Sequence, residues 1–278
     1  RKLSNNKFLP NILKKKNYKS YFFHGGHNGT INLDSYAMLA GFDKYYGKNE
    51  YNNNQDFDGY WGIWDAPYLQ YVAKMLAEKT EPFFSVIYTL SSHHPFNVPE
   101  QYKNTLPDGP LPIHKTIAYT DLALKKFFTT ISNSSWYNNS VFIITSDHSS
   151  IPYLDYYKSL AGMYSIPFLI YEPAFSQTET IYSTVQQTDI MPTILDYLKY
   201  DEPFVSYGNS SFRTSEPHFS ISFINNVYQI ISDSILVKIA NNDLTEMYDM
   251  KQDILQQNNI VESENYNQFK ANILNIYK

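Results

Sequence analysis

Asp147 and His148 stand next to each other in the run VFIITSDHS, residues 141–149, and they are of the two types that bind hard and borderline divalent cations through oxygen and imidazole nitrogen. Adjacent residues of a strand point to opposite faces, so the pair can serve one site only where the chain has left strand geometry. Both residues are therefore expected on a loop at the C-terminal end of the apolar strand VFIIT, the edge at which open parallel sheets bind ligands. Two further strand patterns end in the same manner. Residues 18–23 run into His24, Gly25, Gly26 and His27, and residues 82–90 (PFFSVIYTL) run into Ser91, Ser92, His93 and His94. Five of the seven histidines thus follow three strand ends. A common pocket at one sheet edge is the resulting expectation.

Within that pocket Asp147 and His148 are the expected metal ligands, with Mn or Mg the preferred ions and Zn or Ca the alternatives. His93 is the expected catalytic and substrate-binding histidine, because imidazole titrates near neutrality and can donate to a phosphate or sulfate oxygen or protonate a leaving alkoxide. His24 is a second substrate-binding candidate. His27 is a weaker one, His94 is expected to pack, and His114 and His218 lie away from the strand ends and read as structural. Trp61 and Trp64 read either as a stacking platform or as packing beneath a loop. Ser91, Ser92, Ser146, Ser149 and Ser150 are hydroxyls near the site, but no feature marks one as a nucleophile.

These side chains require an α/β scaffold. Helical spacing is expected over residues 9–16, 34–41, 66–78, 115–131 and 188–200, alternating with strands as in a mainly parallel central sheet flanked by helices. In the fourth of these, Ile117, Ala118, Leu122, Leu124 and Phe128 are the expected core face, and Thr188 is the expected N-cap of the fifth. Residues 49–60 are polar and read as a surface loop. From residue 218 onward the strands are short, alternating and joined by Asn-Asn or Asp-Ser turns, a small C-terminal antiparallel sheet, with a terminal helix over residues 263–277. The expected division is an α/β core over residues 1–205 and the antiparallel sheet and helix over 206–278.

Composition narrows the function. The net charge of -5 and the dispersed Lys and Arg argue against a nucleic-acid groove. There is no cysteine, so neither a disulfide framework nor a thiolate metal site exists. No apolar run approaches the ~18 residues of a membrane span. Because the sequence opens on Arg1, a piece of a longer protein is expected.

Taken together, HGGHNG, SSHHPF, SDHS, QQTDIMPTILDYL and EMYDMKQDILQQNN resemble the C-terminal two thirds of a sulfatase-type catalytic domain of the alkaline phosphatase superfamily, and within it the lipoteichoic acid synthase branch of phosphoglycerol transferases. The resemblance implies a divalent metal held in part by Asp147 and His148, substrate contact by His93 in Ser92-His93-His94-Pro95, and His24 beside the glycerol phosphate contacts. It implies an extracytoplasmic or periplasmic enzyme acting on a phosphatidylglycerol-like lipid or an anionic glycan, whose membrane anchor, first strand, acidic metal ligand and nucleophile lie upstream of Arg1. Gly26, Ile31 and Leu33 stand where the synthases carry Asp, Trp and Arg, so the substrate is left open. A sulfatase proper and a non-catalytic module binding an anionic glycan or lipid headgroup are the alternatives.

Overall fold

A computed structural model describes residues 8–264. It divides into two compact units, Arg1–Phe142 with Glu172–Phe175, and Ile143–Tyr171 with Ser176–Lys278. The expected 205/206 boundary falls inside the second unit. The expected terminal helix over residues 263–277 lies almost wholly outside the described residues.

In the first unit a short helix α1 (Leu9–Lys14) leads into β1 (Lys19–His24), α2 (Leu33–Ala40) and β2 (Lys44–Tyr46). Then come α3 (Lys48–Tyr51), α4 (Asp65–Ala77), β3 (Phe83–Tyr88) and α5 (Pro112–Ile131). The strands form a parallel sheet in the order β2-β1-β3, with Lys19 opposite Phe83 and His24 opposite Tyr88. This parallel register places the C-terminal ends of β1 and β3 on the same edge, as the sequence predicts.

Helix α4 buries Leu69, Val72, Ala73 and Leu76, the i, i+3, i+4, i+7 spacing of a single apolar face. Helix α5 differs from its reading. Its buried face is Ile113, Thr116, Tyr119, Ala123, Phe127 and Ile131, whereas the expected Ile117 is exposed. Thr116 and Tyr119 escaped the apolar pattern because each carries a hydroxyl, and each hydroxyl has a hydrogen bond: Thr116 donates to the Ile113 carbonyl, and Tyr119 accepts from the Ala66 N–H. The expected loop at residues 49–60 begins as α3, and Tyr51 donates to Asp56 at 2.6 Å, which ties the loop to that helix.

In the second unit β4 (Phe142–Thr145), whose first residue belongs to the first unit, pairs with β5 (Phe168–Tyr171). Helix α6 (Ile190–Tyr197) is entered through a 3-10 turn, Gln187–Asp189. Asp189 supplies the reciprocal hydrogen bond at that turn by accepting from the Gln186 N–H at 2.9 Å, so the expected Thr188 cap is not used.

Strands β6 (Phe219–Ile224), β7 (Val227–Ser232), β8 (Ile235–Ala240) and β9 (Asp243–Asp249) form an antiparallel meander in sequence order. Asn225-Asn226 and Asn241-Asn242 all have positive φ, the geometry of two-residue hairpin turns that asparagine tolerates. β8 is buried on both faces: Val237 and Ile239 pack with Met247, and Leu236 packs with Ala161 and Tyr248.

Candidate active site

The residues after β1 are shaped by close backbone approach. His24 is 1% exposed, its ring lying edge-on to Tyr88 and its Nδ1 3.0 Å from the Tyr45 hydroxyl. Burial pushes its pKa down to about 4, so the ring is neutral at physiological pH. The sequence sets His24 against substrate, whereas the folded unit encloses the ring.

Gly26 follows because a Cβ there would stand 2.5 Å from the His24 ring, and Gly62 because a Cβ there would stand 2.6 Å from the Gly25 carbonyl oxygen. Ile63 donates to that carbonyl at 2.9 Å, and Gly26 and Gly62 form an antiparallel bridge. Gly25 and Gly26 thus admit the segment Gly62–Ile63, which follows Trp61. His27 packs edge-on against Phe57.

At the end of β3 the loop bearing His93 is anchored by Asp65, the first residue of α4. Its carboxylate is 2% exposed and accepts from the Leu90 N–H at 2.8 Å, the Ser91 N–H at 3.1 Å and the Thr120 hydroxyl at 2.8 Å. Burial raises its pKa against the opposing effect of these hydrogen bonds.

Beyond this anchor, Asp58, Tyr60, Trp61, Trp64, His93 and Asn97 line a shallow pocket. The Trp61 and His93 ring centroids are 4.0 Å apart, and the Trp61 indole N–H donates to the His94 carbonyl at 2.7 Å. His94 is exposed, with its ring beside those of Trp61 and His93. Sequence reasoning missed Asp65 altogether.

In the second unit β4 ends at Thr145, and Asp147 and His148 follow on the loop, where strand geometry no longer separates them. His148 Nε2 lies 3.6 Å from Asp147 Oδ2, and both side chains are at least half exposed. His148 Nδ1 lies 2.6 Å from the Ser149 carbonyl oxygen. A carbonyl only accepts, so Nδ1 carries a proton, and Nε2 is the ring nitrogen on the side of the carboxylate. Gln187 Nε2 donates to the Asp147 carbonyl at 2.6 Å and holds the loop.

Histidines that bind metals ordinarily secure the other ring N–H on a carbonyl in this way, and two donors at this spacing can share one ion at bond lengths of about 2.0–2.2 Å. The pair therefore fits part of a divalent-metal site. Among the described residues no group of three or more His, Asp or Glu side chains is arranged around such an ion. His114 accepts from the Leu111 N–H at the start of α5, and His218 is buried with Nε2 on the Arg213 carbonyl, so both have structural partners.

A family model described as Sulfatase matches residues 1–200. The chain belongs to the sulfatase family. The sulfatase-family chain is 26% identical over 241 residues to the lipoteichoic acid synthase-like YvgJ of Bacillus subtilis, covering 78% of the chain and 39% of that relative. It is 27% identical over 260 residues to the lipoteichoic acid synthase of Staphylococcus aureus, covering 85% of the chain and 40% of the synthase. The chain thus spans about two fifths of the length of the curated relatives it matches.

Among solved structures, the lipoteichoic acid synthase LtaP from Listeria monocytogenes superposes with a TM-score of 0.73 at 20% identity, over 98% of this chain and 74% of LtaP. An alkaline phosphatase superfamily protein from Vibrio parahaemolyticus gives a TM-score of 0.69 at 20% identity, over 96% of this chain and 70% of that one. The α/β fold with its C-terminal antiparallel sheet is therefore that of the alkaline phosphatase and sulfatase superfamily.

Proposed function

We propose that this sulfatase-family chain is the C-terminal portion of a metal-dependent, extracytoplasmic phosphoglycerol transferase, or of a related phosphodiester or sulfate ester hydrolase. The observation that carries the reading is the Asp147–His148 pair, with His148 Nδ1 on the Ser149 carbonyl and Nε2 beside the carboxylate. The likeness to lipoteichoic acid synthases supports the transferase side of it. The remaining metal ligand and the nucleophile would come from sequence before Arg1, as would a membrane anchor; no helix among the described residues is long and apolar enough to cross a membrane.

In this reading Asp147 and His148 hold a Mn or Mg ion, which when bound supplies positive charge to the reacting ester and its nucleophile. In the first unit, His93 is the residue read as contacting substrate. Its Nδ1 lies 3.1 Å from the His94 carbonyl, so that nitrogen is committed as a donor and Nε2 is the atom left to meet a phosphoryl or sulfuryl oxygen. Protonated there, it stabilises the transferring group or passes the proton to the leaving oxygen.

His24 supports the strand end from inside. Gly26, Ile31 and Leu33 supply neither charge nor hydrogen-bonding side chains, so the headgroup held here is a phosphatidylglycerol-like lipid bound without them, or an anionic glycan.

Calorimetric titration of the chain with Mn, Mg and Zn tests the proposal. Native protein should bind Mn or Mg, and Asp147→Ala and His148→Ala should each weaken binding by about tenfold or more. Equal affinities in native and variant chains would remove the metal assignment.

A further inference from the structure

We propose that Trp61 is a positioning residue for His93, holding the imidazole in the tautomer with its proton on Nδ1 and thereby making Nε2 the reacting nitrogen. The inference rests on the reading of His93 as the substrate-contacting histidine and goes beyond it, because it assigns the device that sets His93's proton.

The geometry is a two-donor carbonyl. The His94 carbonyl oxygen has two lone pairs; the Trp61 indole N–H donates to it at 2.7 Å, and His93 Nδ1 lies 3.1 Å from the same oxygen. A neutral imidazole in water favours the proton on Nε2, so an acceptor held against Nδ1 reverses the preference. The His94 carbonyl sits on an exposed turn, and the indole N–H keeps it aimed at its own neighbour's ring. The Trp61 ring adds a wall, with centroids 4.0 Å from His93 and 5.5 Å from His94.

Trp61 is itself fixed from behind. Asp58 Oδ1 accepts from the backbone N–H groups of Tyr60, Trp61 and Gly62 at 2.8, 2.8 and 3.0 Å, and Gly59 takes φ 88° to let the chain turn around that carboxylate. The Gly26–Gly62 bridge then locks the following residue to the end of β1.

The test is nitrogen NMR of the histidine-labelled chain at a pH where its imidazoles are neutral. His93 in the native chain should show a protonated Nδ1 and an unprotonated Nε2. Trp61→Phe keeps the ring and removes the donor; it should lower the ratio of Nδ1–H to Nε2–H by about threefold, within what one hydrogen bond contributes, while the His148 signals stay in place. An unchanged ratio in a folded Trp61→Phe chain overturns the proposal. If that variant does not fold, a native spectrum with His93 protonated on Nε2 overturns it equally. The substrate role is read separately: His93→Gln should weaken binding of inorganic phosphate, and if it does not, the reading of His93 fails while the tautomer measurement still decides the role of Trp61.

Discussion

Asp65 and Ser91 hold each other reciprocally: the Asp65 N–H donates to the Ser91 hydroxyl at 2.9 Å, and the Ser91 N–H donates to the Asp65 carboxylate at 3.1 Å. The exchange joins the first turn of α4 to the end of β3, two residues before His93. Asp65→Ala strands the N–H groups of Leu90 and Ser91 and the Thr120 hydroxyl in the interior, and should cost about 3–5 kcal/mol in urea denaturation. Ser91→Ala removes one hydroxyl, which accepts from the Asp65 N–H and also hydrogen-bonds its carboxylate, and should cost about 1–2 kcal/mol. If both variants fall within about 0.5 kcal/mol of native, the knot is not an anchor.

His24 gives the fold a pH dependence with a definite sign. Its folded pKa of about 4 lies below the ordinary 6.5, so between these values the unfolded chain takes up a proton that the folded chain refuses. Stability is therefore intact above the upper value and is lost as pH falls through the window. From about pH 7 to pH 5 the loss from this one residue should be about 2 kcal/mol. His24→Gln can still meet the Tyr45 hydroxyl and should flatten the slope. Parallel curves for the two proteins would show that the ring protonates without unfolding.

The sequence signals that survived folding were local ones. Asn225-Asn226 and Asn241-Asn242 announced their hairpins because a positive-φ pair is written in two adjacent residues, and α4 announced its buried face in four apolar positions. The loop placement of Asp147 and His148 followed from strand parity alone. What stayed hidden depended on distance along the chain. Asp65 looked like an ordinary acidic residue just ahead of a helix, since its partners Leu90, Ser91 and Thr120 come 25, 26 and 55 positions later. Trp61 could be placed on a loop, but the His94 carbonyl it meets is 33 residues away and carries no side-chain signal. The burial of His24 was not legible because a strand-end histidine looks available until Tyr45 and Tyr88 are placed beside it.

Gly62 is needed for its missing side chain. A Cβ there would meet the Gly25 carbonyl oxygen at 2.6 Å and the Leu90 side chain at the same distance, and the first of these is backbone that cannot swing aside. Gly62→Ala should force apart the bridge between Gly26 and Gly62 and cost about 1–3 kcal/mol. Gly59 is the control. It has open space around its Cβ position but a φ of 88°, so Gly59→Asn, which tolerates that conformation, should cost well under about 1 kcal/mol. Thermal denaturation of the two variants separates crowding from backbone strain, and equal losses would contradict the distinction.

Gln187 offers a test of the metal loop that leaves both proposed ligands in place. Its side-chain amide donates to the Asp147 carbonyl at 2.6 Å and reaches the Ser146 carbonyl at 3.4 Å, while His148 is steadied separately by the Ser149 carbonyl. Removing the amide frees the backbone that aims the Asp147 carboxylate, and a ligand that must be reoriented on binding gives up affinity. Groups that orient metal ligands typically contribute about 10- to 100-fold; Gln187 lies on an exposed turn and acts on one ligand, so Gln187→Leu should weaken Mn binding by about tenfold. The folded state should lose only about 1 kcal/mol, the scale of a single exposed hydrogen bond. Calorimetric Mn titration beside urea denaturation reads both quantities. An unchanged Mn affinity with the same small stability loss would mean that the loop needs no such support, and that Asp147 is oriented from elsewhere.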